Sequence, residues 1–205
     1  MNNIKIFEKD IPDDIDLSNE KIVAIDCEAL GLVLGRDPLT LVQIGLQSNK
    51  YYLIKLDRET YKAPNLKKLL SNPEIEFIMH YARQDLLWLK YHLNAEPKKI
   101  FCTKLSSKIA RTASSFHGYK DLVKELCKKD ISKKEQQSDW GDPNLTEKQI
   151  SYAAQDTQYL FEIKEKLSKM LLREKRMDLF KKSMEVIPIL VDMEIAGYKP
   201  SLFEH

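Results

Sequence analysis

Short apolar runs dominate the first half of the chain, and their length and spacing are typical of β-strands. Four of these runs, bounded by polar turns, predict strands at 21–27, 39–47, 50–56 and 75–80. The segment "SNK" between the second and third runs is short enough for a hairpin, so we predict antiparallel pairing there. A fifth, shorter strand is predicted at 100–103.

Apolar residues in the second half recur at helical spacing. This period predicts helices at 63–74, 84–93, 104–112, 118–129 and 145–176. Thr146 and Gln149 match a capping box at the start of the long last helix. A further helical segment contains Pro188, where we expect a kink or a break. Three antiparallel strands followed by alternating helices and strands predict an α/β fold, a mixed five-stranded sheet flanked by helices.

Length and composition indicate a globular protein. The 205 residues include 43% hydrophobic and 31% charged residues, which suits a single domain over 1–205. We place its core at about 21–170 and a helical C-terminal tail at 177–205. The net charge of +2 excludes no class of partner. The Lys-rich segment 128–137 is interpreted as a solvated loop, with a nucleic-acid contact as the alternative.

Cysteine usage and the N-terminus bear on the cellular compartment. Cys27, Cys102 and Cys127 are odd in number and widely spaced, which favours reduced thiols over a disulfide framework or a zinc site. The N-terminal residues contain no apolar segment of the secretory type, and no run approaches membrane-spanning length. We therefore expect a cytoplasmic protein with no membrane association.

Two carboxylates one residue apart, Asp26 and Glu28, end the first predicted strand in "KIVAIDCEALGL". Alternate residues of a strand share a face, so these two like charges lie on the same side. A divalent cation would offset the cost of burying them. The same Asp-x-Glu spacing recurs at 57–59, in a polar turn, and at 192–194, in a predicted helix. The alternative is therefore that the strand has ended and both acids are solvated.

Two further acids occupy positions from which they can join the first pair. Asp85 comes just after the strand at 75–80, at the start of the next helix. Tyr152 and Asp156 are four residues apart on the long helix, so they share a face. A surface aspartate beside a half-buried tyrosine is the alternative, and Tyr81 with Asp85 repeats the spacing. The order of these residues along the chain is the more specific observation.

In this order, Asp26, Glu28, Asp85 and Asp156 with Tyr152 resemble the four acids and the tyrosine of the DEDDy branch of 3′→5′ exonucleases. This branch has a ribonuclease H-like fold and includes ribonuclease D and the proofreading domains of DNA polymerases. The sister branch places a histidine five residues before the last aspartate, and this chain has a serine there. The resemblance therefore implies the tyrosine branch.

The resemblance extends from about residue 21 to at least residue 166. The segment "SDWGDPNLTEKQISYAAQDTQYL" is similar to ribonuclease D. The segments "FCTKLSSKIART", "HGYKDL" and "ISKKEQQSDW", together with the total length, look like the short nano-ribonuclease C type. That likeness implies a homo-octameric enzyme that hydrolyses short oligoribonucleotides, dinucleotides above all, to nucleoside monophosphates.

Other functions stay open at this point. The same chemistry serves a general RNA-trimming exonuclease of the ribonuclease D kind or a DNA 3′→5′ exonuclease. A non-catalytic nucleic-acid-binding or assembly module on this fold is the alternative of another class. The segment "IPILVDMEIAGYKP" also resembles the part of A-family DNA polymerases that follows the proofreading domain, which raises the alternative of a polymerase fragment.

Four carboxylates form an all-oxygen site, which suits two divalent cations, Mg²⁺ or Mn²⁺, rather than zinc. We assign Asp26 as the bridging ligand, with Glu28 and Asp156 completing the shell of one ion and Asp85 acting on the second. Tyr152 is assigned to orient the attacking water. With an unperturbed pKa of about 10, a tyrosine is a hydroxyl donor rather than a free-standing base at neutral pH.

Five more residues are candidate substrate contacts. Leu30 and Leu32 follow Glu28 and either wedge against a base or pack in the core. His80 ends the fourth predicted strand and either touches phosphate or is an ordinary loop histidine. Arg111 and His117 either hold a terminal phosphate, for which the arginine fork is suited, or have a plain surface role.

Overall fold

The computed structural model describes residues 3–132, 134–198 and 201, and its centre is one mixed sheet. The strand order across the sheet is β1-β4-β3-β2-β5-β6. In chain order the strands are β1 Ile4–Glu8, β2 Ile22–Ala29, β3 Leu39–Leu46, β4 Tyr51–Lys55, β5 Glu76–Met79 and β6 Lys99–Cys102. Strands β2, β3 and β4 pair antiparallel, β5 and β6 run parallel to β2, and β1 runs parallel to β4.

The mixed sheet confirms the predicted α/β fold, but it contains six strands where the sequence predicted five. The additional strand is β1, which pairs only with β4 at the edge of the sheet. None of its residues is fully buried, and only Ile4 and Phe7 are half-buried. Because so little of β1 contacts the core, its sequence carries only a weak alternation of apolar and polar positions.

Seven α-helices accompany the strands in the described part of the chain. They are α1 Pro64–Leu70, α2 Ala82–Leu93, α3 Thr103–Ala110, α4 Tyr119–Leu122, α5 Glu147–Gln158, α6 Leu160–Arg173 and α7 Met177–Ile195. A π-helical turn, Val123–Cys127, continues α4, and a 3₁₀ turn spans Lys134–Gln137. The predicted capping box at the start of α5 is confirmed, because Thr146 and Gln149 each accept a hydrogen bond from the other's backbone N–H.

One helix prediction was wrong in detail, and the break that was one of the two alternatives expected at Pro188 does not occur. The long helix predicted at 145–176 is two helices, α5 and α6, which meet at Tyr159 with φ −99° and ψ 0°. The Tyr159 N–H donates to the hydroxyl of Tyr119 at 3.2 Å, and this contact occurs where the helix is interrupted. Conversely, α7 runs through Pro188 without ending. Ile187 and Val191 hold that part of α7 in the core, which offsets the hydrogen bond that proline removes.

Helices cover both faces of the sheet, and the alternation along β2 assigns each residue to one face. Val23 and Ile25 pack with residues of α1, α2 and α7. Ala24 lies in the cluster that α3, α6 and Phe180 complete on the opposite face. Asp26 and Glu28 follow Ala24 at intervals of two, so they belong to the second face, which α5 also covers.

The predicted C-terminal tail at 177–205 is helical as far as Ile195, and α7 packs against α2. Residues 199–200 and 202–205 of that prediction lie outside the described residues. Within the described part of the chain, the search for a helix with the length and apolarity to cross a membrane finds none.

Candidate active site

The carboxyl ends of parallel strands bring the first acids together. Strands β2 and β5 are parallel neighbours, so both end at the same edge of the sheet. Asp26 and Glu28 lie on the last part of β2, and Asp85 lies in the first turn of α2, directly after β5. The register of β2 against β3 shifts between Glu28 and Ala29, and such bulges redirect side chains beside active sites.

The fourth acid reaches the cluster because α5 lies very close to the sheet. A Cβ atom on Gly45 of β3 would be 2.8 Å from Oγ1 of Thr157 and 2.9 Å from its Cβ. Only glycine permits this approach without a shift of the helix. Asp156 precedes Thr157 on α5, so the packing of Thr157 against Gly45 sets the distance between Asp156 and the acids of β2.

The resulting cluster has the donor set of a hard-cation site. One carboxylate oxygen from each of Asp26, Glu28 and Asp156 lies within 4.8 Å of the others. Asp85 is only 5% exposed, and its Oδ2 has no hydrogen-bond partner among the described residues. A buried, unpaired carboxylate oxygen beside three more carboxylates fits Mg²⁺ or Mn²⁺, which prefer oxygen ligands.

Burial and mutual repulsion shift the pKa values of these carboxyl groups upward. Burial raises the pKa of Asp26 to about 7. Burial, followed by the charges of Asp26, Asp156 and Asp85, raises the pKa of Glu28 to about 10. The pKa of Asp85 is raised well above its usual value, mainly by burial and then by Asp26. Without a cation, the cluster therefore resists full ionisation at neutral pH.

Tyr152 lies one helical turn before Asp156 and faces the same cluster. Burial first, and then the charges of Asp156 and Glu28, raise the pKa of its hydroxyl far above the ordinary value. Trp140, itself buried, packs against the Tyr152 ring with 5.9 Å between the centroids. The tyrosine is therefore a fixed hydroxyl that stays protonated, which suits orientation of a water or substrate oxygen.

A cavity of about 330 Å³ opens over the five residues predicted to be catalytic, all of which line it. Its lining also includes two cations and an aromatic ring that were not among the predicted site residues. Lys104 of α3 and Lys120 of α4 line the cavity, as does Tyr81. Tyr81 has a left-handed backbone at φ 69°, and the Lys104 Nζ lies 4.0 Å from the centroid of its ring. These residues are far apart in the sequence, so they could be assigned to the site only from the fold, which brings α2, α3 and α4 to one cavity.

Part of the Lys-rich segment predicted as a solvated loop also reaches this cavity. Ile131, Ser132 and Gln136 line it, and Ile131 is buried. Lys128, Lys129 and Lys134 of the same segment are exposed. The apolar and polar residues of the segment thus contribute to the site, while its described lysines face solvent.

The predicted substrate contacts divide into two groups. His80 lines the cavity, and its Nδ1 is 2.9 Å from Oγ1 of Thr103. Leu30, Leu32, Arg111 and His117 do not line it. Their roles as substrate contacts stay predictions.

The two leucines and the Arg111–His117 pair have different surroundings. Leu30 and Leu32 follow β2 and are 42% and 79% exposed, so neither packs in the core. Arg111 donates to Ser107 Oγ at 2.9 Å and forms an ion pair with Glu125. His117 Nδ1 is 2.8 Å from the same Ser107 Oγ, so Arg111 and His117 share one polar cluster beside α3.

Gly45→Ala is expected to destabilise the protein and to reduce its hydrolytic activity. The added methyl group overpacks the contact with Thr157, at a cost of about 1–3 kcal/mol, and moves Asp156 away from Asp26. In a protein of this size the melting temperature should fall by about 2–10 °C. The double variant Gly45→Ala/Thr157→Gly removes the clashing side chain and should recover part of the activity. Unchanged melting temperature and activity in Gly45→Ala would contradict this account of the packing.

Comparison with known proteins identifies the family of the chain. Residues 15–172 match the family model described as 3′-5′ exonuclease. A ribonuclease D of Gluconacetobacter diazotrophicus is 34% identical over 162 residues, which cover 79% of this chain and 41% of the relative. The chain therefore spans well under half the length of that relative.

Solved structures of Brucella melitensis NrnC match over 95% or more of this chain. One of them superposes with a TM-score of 0.95 at 35% identity and covers 100% of both chains. The same protein has been solved with bound Mg²⁺, with a TM-score of 0.90 and coverage of 95% and 94%. It has also been solved bound to pGG, with a TM-score of 0.93 and coverage of 99% of this chain and 98% of that one. The fold, the cluster of acids and these matches together show that the chain belongs to the 3′→5′ exonuclease family.

Proposed function

We propose that this protein is a 3′→5′ exoribonuclease that hydrolyses short oligoribonucleotides, dinucleotides above all, to nucleoside monophosphates. The observation that carries the proposal is the match to NrnC, which extends over essentially the whole length of both chains and includes the structure bound to pGG. The cavity of about 330 Å³ over the acids lies within the usual size range of small-ligand sites, which is compatible with a short ligand.

We further propose that Asp26, Glu28, Asp85 and Asp156 hold two divalent cations, Mg²⁺ or Mn²⁺. Their clustered and buried carboxylates support this assignment. When bound, such cations activate a water for attack and neutralise charge on the phosphodiester. The four carboxylates hold the site in one geometry, because they belong to a strand and two helices that pack on the same sheet.

The remaining residues of the cavity act on the substrate and the attacking water. Tyr152 orients the water through a hydroxyl that stays protonated. Lys104 and Lys120 line the same cavity as the acids and attract the phosphate that joins the two nucleotides. His80 is a further polar contact for that phosphate, held by Thr103. Leu30 and Leu32 project beyond β2 and are proposed to contact a base.

Initial rates on 5′-labelled RNA of two to seven nucleotides test this proposal. We expect the dinucleotide with a 5′ phosphate to be hydrolysed at least about tenfold faster than the 7-mer, because the match to NrnC bound to pGG favours a short substrate, and affinity for a longer strand requires the neutralisation of many phosphates. Deoxyribonucleotides of the same lengths serve as the matched control for RNA preference. Equal rates at all lengths would contradict the proposed preference for short RNA and would instead indicate a general 3′→5′ exonuclease.

A closed homo-octamer is the assembly we propose. Leu179, Val186 and Ile189 are exposed apolar residues of α7, and such a surface favours contact between copies. Multi-angle light scattering at micromolar concentration should give a mass eight times the monomer's 23.9 kDa. The mass of a monomer at that concentration would contradict the proposed octamer. It would not affect the proposed reaction, which the initial rates on labelled RNA test separately.

A further inference from the structure

Gln43 is a buried polar residue that was not among the predicted site residues. It lies in the middle of β3, where every residue is buried, and its side chain has 0% exposure. Neither Nε2 nor Oε1 makes a hydrogen bond of good geometry among the described residues. An unpaired amide destabilises a protein core, whereas an apolar residue of the same shape would not. This cost indicates a role outside core packing.

The strand register places Gln43 beside the acids. Gln43 is the direct cross-strand partner of Asp26 in the antiparallel pair β2–β3. Directly opposite residues project to the same face of a sheet, so Gln43 lies on the face that carries Asp26 and Glu28. Leu41 and Gly45, its neighbours on that face, contact residues of α5 or approach that helix.

The amide also acts on the carboxyl group of Glu28. The Gln43 side chain lies within hydrogen-bonding reach of this carboxyl group. The Gln43 amide is uncharged and carries two N–H donors. A donor in this position can hold a carboxylate in one orientation without adding to the repulsion within the cluster.

We propose that Gln43 is a positioning residue that donates a hydrogen bond from its amide to Glu28 and so orients this carboxylate for a divalent cation. The inference rests on the proposed metal-dependent function and adds a residue to it. Groups that hydrogen-bond to a metal's ligands fix the orientation of those ligands and strengthen metal binding. The burial of this amide among the acids is then explained by its role as a donor to the ionised carboxylate.

Gln43→Met tests the inference, because it preserves the size of the side chain and removes both polar atoms. We expect Mn²⁺ to bind about 10- to 100-fold more weakly to Gln43→Met than to wild type, measured by electron paramagnetic resonance of free Mn²⁺. The metal-free melting temperature should stay equal or rise, because an unpaired amide has been removed. Hydrolysis of a dinucleotide should recover when Mn²⁺ is raised to saturation, which a distorted fold would not permit.

Ser106→Ala is the matched control. The Ser106 hydroxyl is also fully buried without a hydrogen-bond partner among the described residues, but Ser106 lies on α3 and does not line the cavity. We expect its Mn²⁺ affinity to equal that of wild type. If Gln43→Met does not fold, Gln43→Asn keeps the amide but draws the donor back by one methylene, and it should also bind Mn²⁺ more weakly.

Mn²⁺ affinity within twofold of wild type in the folded Gln43 variant would overturn the inference. That outcome leaves the proposed function intact, since wild type would still bind Mn²⁺ and hydrolyse RNA. Failure of wild type itself to bind Mn²⁺ would reject both the inference and the metal-dependent function.

Discussion

Asp26→Ala is expected to reduce hydrolysis of an RNA dinucleotide by on the order of a thousandfold while leaving the protein folded. Asp26 shares with Glu28 and Asp156 the only three-residue grouping of possible metal ligands found among the described residues. It also repels Asp85, whose pKa it raises. Loss of this carboxylate therefore removes one ligand and changes the balance of charge for the other three. Initial rates at saturating Mg²⁺ measure the effect.

Asp192→Ala is the matched control for this experiment. Asp192 belongs to another Asp-x-Glu pair, lies on α7 and forms an ion pair with Lys90 instead of lining the cavity. Its removal should leave the rate near that of wild type. Full activity of Asp26→Ala, or of wild type in excess EDTA, would reject metal-dependent catalysis by this cluster.

The positions of the acids were predictable because each is tied to a local pattern. Of the three Asp-x-Glu pairs, only Asp26 with Glu28 ends an apolar run that forms a central strand. The turn and helix contexts of the other two pairs separate them from it. Tyr152 and Asp156 share a helix face by spacing alone. The strand spacing of Asp26 and Glu28 and the helix spacing of Tyr152 and Asp156 thus indicated residues that the fold places around one cavity.

The features that the sequence missed depend on contacts between distant parts of the chain. The break at Tyr159 occurs where its N–H bonds to Tyr119, forty residues earlier. Gly45 allows the close approach of Thr157 on α5. Gln43 interacts with Glu28 on the neighbouring strand. None of these pairs has a local signature in the chain. They could be found only after the register of β2 against β3 and the position of α5 were known.

The raised pKa values of Asp26 and Glu28 determine how the stability of the metal-free protein depends on pH. In the unfolded chain these groups titrate near pH 4, whereas in the fold their pKa values are about 7 and about 10. At any pH between about 4 and these raised pKa values, the folded state therefore binds more protons than the unfolded state. The free energy of unfolding therefore falls as the pH rises above about 4, through 7 for Asp26 and on toward 10 for Glu28.

We therefore expect the metal-free protein to melt roughly 5–10 °C lower at pH 8 than at pH 5. One pKa unit corresponds to about 1.4 kcal/mol, so ionisation of Asp26 alone removes on the order of 3 kcal/mol of stability. Differential scanning calorimetry in EDTA across this pH range is the measurement. Asp26→Asn keeps the shape of the side chain and removes its ionisation, so its melting temperature should change less with pH and should exceed that of wild type at pH 8.

Mg²⁺ should act in the opposite direction, because a cation binds the ionised carboxylates and stabilises the folded state that holds them. The increase in melting temperature on adding Mg²⁺ should accordingly be small at pH 5 and large at pH 8 in wild type, and smaller at pH 8 in Asp26→Asn. A wild-type melting temperature that rises from pH 5 to pH 8 in EDTA would show that these carboxylates are not held together in the fold. An effect of Mg²⁺ that is the same in Asp26→Asn would place the cation elsewhere.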